Sequence, residues 1–242
     1  MKKALSLLVA IGVTSITPIA ASAAGALSVP ASIANLSPSQ IATISLASAQ
    51  AAGTCTNVSR GSAVGFTFGS TTDSGVTQAR EALHFNTATG EALLIKGVAY
   101  VNLSATVINL EFGKAYPQYA NRWISIPATS KDYASITLGL LFSSMLSQVR
   151  PGGTLTKSKV TTLNGVKVIA ITGTANAELG LTAGKQTLFV QAASPHLPVA
   201  LDAAGRSQGV PTNLTVTFSN WGKRFAFVVP SHVVTIASTT LP

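Results

Sequence analysis

Three histidines, one cysteine and seven carboxylates are the side chains with ready chemistry, and their spacing argues against most of it. His84, His196 and His232 stand at metal-ligand spacing neither to one another nor to Cys55. His196 falls in the turn Ser194-Pro195-His196 and His232 in the tail, so both are expected in solvent, with His84 on the polar face of a strand. Cys55 has no disulfide partner, and at a helix-to-strand junction it is expected to be a small packed residue. No Gly-x-Ser-x-Gly elbow occurs. Gly184-Lys185 is no phosphate loop, because Leu179 stands where glycine is required and Gln186 where a magnesium-holding Ser or Thr belongs. Glu81, Glu91, Glu111 and Asp132 have no fixed place in the sequence, so a glycosidase-like pair of carboxylates stays open at this level. Asn35, Asn57, Asn102 and Asn213 each begin a glycosylation sequon, a number that the frequent Ser and Thr explain by chance. The expectation is a protein that is not an enzyme and carries no metal or cofactor.

The elements that would position these residues are mostly strands. Ser37-Pro38-Ser39-Gln40 opens a helix, with Ser37 as N-cap and Pro38 in the first helical position. Ile41, Ile44, Ala47 and Ala51 recur at helical spacing until Gly53. The period then changes to two: Val64, Phe66 and Phe68 alternate with Gly65, Thr67 and Gly69. Strands are predicted over 79–85 and 91–95 around a loop at 87–90, then over 98–103 and 122–127. Residues 107–112 read as either strand or helix. One helix is predicted over 132–149, with Tyr133, Ile136, Leu140, Leu141, Met145 and Val149 on one face and Asp132 at its positive end. Beyond Pro151-Gly152-Gly153 the chain reads as a meander: 156–161 and 166–172 joined by Asn164-Gly165, then 186–192 with 197–202, and 213–221 with 224–229. At least eight strands in hairpin order imply an α+β fold, an antiparallel sheet whose apolar face the helices must cover.

The ends and the composition bound where such a protein works. Met1-Lys2-Lys3, the uncharged apolar run 4–13 and Ala21-Ser22-Ala23 form the layout of a secretory signal peptide over residues 1–23. Pro18 interrupts a stretch already too short to span a membrane. No cysteine directly follows the cleavage site, so a secreted or periplasmic protein of the cell envelope without a lipid anchor is expected. Residues 24–36 read as a linker, 37–231 as a single domain and 232–242 as a tail. With 47% hydrophobic and 10% charged residues, disorder is excluded for most of the length. The formal charge of +9 reflects scarce acids, and the bases are scattered singly, so no nucleic-acid groove is expected. Weak, transient attraction to an anionic membrane surface is compatible with it. A monomer is expected.

The order of elements resembles the LolA-like envelope proteins, and most of all the actinobacterial secreted and lipoprotein branch related to LppX and LprG. The resemblance runs from Leu36-Ser37-Pro38 through Lys96-Gly97-Val98-Ala99-Tyr100-Val101 and Arg122-Trp123-Ile124-Ser125-Ile126-Pro127. It continues with Leu163-Asn164-Gly165-Val166, Leu188-Phe189-Val190, Pro195 and Leu197-Pro198, and closes on Val216-Thr217-Phe218-Ser219-Asn220-Trp221-Gly222-Lys223. It implies a strongly curved antiparallel sheet, or half-barrel, covered on its concave side by helices with a greasy cavity between. It also implies a non-enzymatic carrier of lipids or acyl chains, or a sensor of envelope components. The lipid-attachment cysteine of the lipoprotein branch is missing, and no polar site motif carries over by position.

The candidate lipid-binding residues are therefore large apolar ones expected on inward strand faces and on the second helix: Phe66, Phe68, Phe85, Tyr100, Trp123, Leu140, Leu141, Met145, Phe189 and Phe218. Met145 is flexible and polarizable, which suits a lid, while Gly139 and Ser143-Ser144 loosen the helix that bears it. Three function classes stay open: a carrier of a hydrophobic ligand such as a lipid or acyl chain, a sensor or partner-binding module on the same fold, and a structural wall-associated protein.

Overall fold

The computed structural model describes residues 32–112, 116–130 and 133–235, without the side chains of 110–112 and 135. The expected signal peptide, most of the linker, Asp132 and the end of the tail lie outside the described residues.

Helix α1 (Pro38–Ala52) begins where its capping chemistry dictates. The Gln40 N–H donates to Ser37 Oγ at 3.3 Å, and the Ser37 N–H donates back to Gln40 Oε1 at 2.9 Å. At the other end Gly53 takes the left-handed conformation, φ 71°, and its N–H reaches Ala49 O at 3.2 Å. Six strands follow: β1 (Cys55–Ala63), β2 (Phe66–Ser74), β3 (Gln78–Phe85), β4 (Ala88–Ile95), β5 (Val98–Leu103) and β6 (Ile124–Pro127). Helix α2 (Ala105–Phe112) lies between β5 and β6, which settles as helix the segment whose sequence fits both periods. The chain continues with α3 (Tyr133–Leu138), α4 (Phe142–Val149), β7 (Gly152–Lys157), β8 (Thr161–Leu163), β9 (Val166–Thr174), β10 (Thr182–Gln191), β11 (Pro198–Ser207), β12 (Val210–Ser219) and β13 (Val234–Thr235).

The thirteen strands of the described residues belong to one open, curved sheet in the order β13-β6-β5-β4-β3-β2-β1-β12-β11-β10-β9-β7, with β8 also on β9. Two meanders are thus joined by the antiparallel β1–β12 pair. This topology dictates the cover. The chain leaves β6 near one edge of the sheet and re-enters at β7 on the other, so the segment between them must cross a face. That segment holds α3 and α4, and with α1 and α2 it closes the concave side. The result is an α+β half-barrel. Among the described residues, no helix is long and apolar enough to cross a membrane.

Two expectations about elements need correction. The helix foreseen over 132–149 is broken, because Leu141 is extended (φ −69°, ψ 129°) and starts α4 as its N-cap. The segment 224–229 is not a strand. The reason is topological: β12 already has β1 on one side and β11 on the other, so a hairpin partner finds both edges occupied.

The core is divided in two. One cluster packs α1 and α4 on β9 to β12, with Ile41, Ile171, Leu188 and Leu201 almost fully buried. The other packs α2 and Leu140 on β2 to β6, around Phe68, Phe85, Leu94 and Ile124. Leu214 on β12 touches both.

A candidate ligand cavity over a polar floor

The register shows what separates the two clusters. One transverse row across β9 to β12 and then β1 to β5 runs Ile171, Leu188, Leu201, Val216, Ser59, Ser70, Leu83, Gly90, Leu103. The next row, across β12 and β1 to β6, runs Phe218, Asn57, Thr72, Glu81, Ala92, Val101, Ile124. Both rows are apolar at their ends and polar in the middle. The concave floor therefore carries a polar strip on β1, β2 and β3, where neighbouring residues of equal parity face the same side.

Over this strip lies a cavity of about 110 Å³. Asn57, Ser59, Ser70, Thr72 and Glu81 form its floor. Phe68, Leu201, Val216 and Phe218 rise from the sheet beside them, while Leu138, Gly139, Met145, Gln148 and Val149 close it from α3 and α4.

Most floor groups satisfy one another. The Ser59 and Ser70 hydroxyls are 2.9 Å apart, and the Ser70 N–H donates to Ser59 Oγ at 3.1 Å. The Thr72 hydroxyl donates to Glu81 Oε1 at 3.3 Å. Asn57 is the exception. It is 7% exposed and lines the cavity, yet among the described residues its side-chain amide makes no hydrogen bond.

Glu81 is half-buried, and the space it faces is the cavity. Desolvation raises its carboxyl above the ordinary carboxylate range, outweighing the Ser70 and Thr72 hydroxyls that favour the ionised form. Among the described residues, no Lys, Arg or His lines the cavity. The neighbouring charges sit on the convex face, where Arg80 Nε pairs with Glu91 Oε1 at 2.5 Å. Among the described residues, Glu81 is the one carboxylate on the lining, beside the hydroxyls and amide of the floor.

Of the candidates read from sequence, Phe68, Met145 and Phe218 line the cavity. Phe66 stands next to them, its ring centroid 6.3 Å from that of Phe68 and 5.9 Å from that of Phe85. Leu140 is fully buried in the second cluster, and Leu141 packs against it. Tyr100 and Phe189, expected to face inward, face outward, because Ala99 and Val101, and Leu188 and Val190, take the core side of their strands. Trp123 is half-buried just before β6, where its carbonyl accepts the Val234 N–H at 2.8 Å. His196 is fully buried, with Nδ1 3.2 Å from Gln191 O, and not in solvent as expected. His84 and His232 are exposed.

The floor residues escaped the sequence reading, although a signal for Glu81 existed. Ala79, Leu83 and Phe85 share its parity in β3, and all three pack in or against the second cluster. A carboxylate in an otherwise apolar alternation is an inward one.

No protein-family model matches the sequence, and no curated protein matches it. Among solved structures, LprF from Mycobacterium bovis superposes with a TM-score of 0.53 at 17% identity, covering 80% of this chain and 96% of LprF. A DUF1329 family protein from Desulfovibrio piger gives 0.30 at 10% identity over 76% of this chain and 92% of its own. The MucA/MucB complex of Pseudomonas aeruginosa gives 0.34 at 12% identity, over 75% of this chain and 56% of the matched one. The likeness to LprF shows the fold: an open, curved antiparallel sheet covered by helices.

Proposed function

We propose that this protein binds a lipid or acyl-chain ligand between its sheet and its α3–α4 cover and carries it within the cell envelope. One observation carries the reading: where the cover crosses the sheet, the core is interrupted, and a cavity stands between two packed clusters. A domain built only for stability closes such a gap, because interiors pack to crystal-like density.

The size of the cavity constrains the mechanism. At about 110 Å³ it is smaller than the roughly 150 Å³ apolar cavity that admits benzene, and far below the usual ligand pocket of roughly 300–1,000 Å³. An acyl chain therefore enters only when the cover moves. The break at Leu141 gives that cover a joint, and Met145 on α4 supplies an adaptable apolar contact. In this reading the working form is a secreted or periplasmic monomer. The excess of bases over acids favours brief contact with anionic membrane surfaces during exchange. A sensor or structural wall protein would instead keep its interior shut.

Titration of the delipidated protein with N-phenyl-1-naphthylamine, an uncharged hydrophobic fluorophore, tests the reading. Saturable binding at one site supports it. Fluorescence that never exceeds that of a folded control protein overturns it.

A further inference from the structure

Resting on that carrier reading, we propose that the polar floor selects the head of the ligand, and that this head is uncharged and bears hydroxyl groups. The first ground is Asn57. The residue is more than nine-tenths buried and lines the cavity, and its amide, with donors and an acceptor, has no partner among the described residues. The second is Glu81, whose Oε1 is engaged by Thr72 while the carboxyl faces the same space. Asn57 and Glu81 flank Thr72 in one row, two strand spacings apart, or roughly 10 Å. A head with several hydroxyls can bridge them.

The absence of charge follows from the lining. Among the described residues, an anionic phosphate or carboxylate head would meet Glu81 and no Lys, Arg or His. A cationic amine would need Glu81 ionised, and burial disfavours that form. An uncharged hydroxyl donates to the Asn57 carbonyl or to a Glu81 carboxyl oxygen, and accepts from the Asn57 NH₂. The cavity volume suits such a head, with the chain running toward the α3–α4 joint.

The test uses the delipidated full-length mature protein loaded with N-phenyl-1-naphthylamine and displaced by 1-monooleoylglycerol, oleic acid or oleylamine at neutral pH. The expected result is displacement by the monoacylglycerol at about tenfold lower concentration than by the other two, the worth of one or two hydrogen bonds. Glu81→Gln, which keeps a donor and an acceptor, should retain that preference, while Asn57→Ala and Glu81→Ala should each remove most of it. Circular dichroism verifies that each variant is folded, and if Glu81→Ala is not, Asn57→Ala and Glu81→Gln decide the matter. Oleylamine as the best competitor, lost in Glu81→Gln, overturns the inference in favour of an ion pair. Equal displacement by all three overturns it too, while leaving the carrier reading intact. Absence of probe binding removes both.

Discussion

The ring of Phe68 lies across Gly61, its partner on the neighbouring strand, so closely that a Cβ at position 61 would sit 2.1 Å from Cζ of the ring. Gly61 is therefore required by its neighbour, and Phe68 is held flat on the floor where it forms part of the cavity wall.

It follows that Gly61→Ala must push the ring toward the cavity. Strain of this kind costs about 1–3 kcal/mol, and a smaller side chain at 68 should relieve it. Urea denaturation of Gly61→Ala, Phe68→Leu and the double variant should show coupling, with the double variant more stable than the sum of the single losses implies. Strict additivity would contradict the contact.

Glu81 makes stability depend on pH in a stated direction. Its folded-state carboxyl titrates above the ordinary value of 4.5, so over the interval above that value the folded chain holds a proton that the unfolded chain has released. The native state therefore loses stability as pH rises through this window. Glu81→Gln removes the dependence: wild type and variant should differ least near pH 4, with the variant gaining on wild type toward pH 8. Thermal unfolding at pH 4, 6 and 8 measures this, and a constant difference would refute it.

Cys55 is fully buried at the start of β1, and burial, with Asp73 adding to it, pushes its thiol up to about 12. The thiolate is the reactive form. Ellman's reagent at pH 8 should thus label the denatured chain at once and the native chain only as fast as it opens. Prompt labelling of the folded protein would show that β1 is not seated as described.

Much of the fold was legible because it depends on local chemistry. Ser37 and Pro38 start α1 where expected. Asn164 and Gly165, with φ of 49° and 82°, make the turn their dipeptide demands. What escaped depends on partners distant in sequence. The β1–β12 pairing, which displaces the expected strand at 224–229, joins the two ends of the domain. The outward turn of Phe189 could not be read because Leu188-Phe189-Val190 is apolar at every position, which leaves parity undefined. The polar floor emerges only when β1, β2 and β3 are laid in register, which brings Asn57, Thr72 and Glu81 into one row.

The central claim is that the space under α4 belongs to a ligand. Met145→Trp fills that space from the cover, as Gly139→Leu would. Native mass spectrometry of wild type and Met145→Trp purified from the original host, with the melting temperatures of their delipidated forms, tests it most directly. The account predicts a bound lipid mass on wild type, its loss from Met145→Trp, and melting temperatures that agree closely. Wild type with no bound mass, and a variant that melts several degrees lower as an overfilled core would, contradicts it.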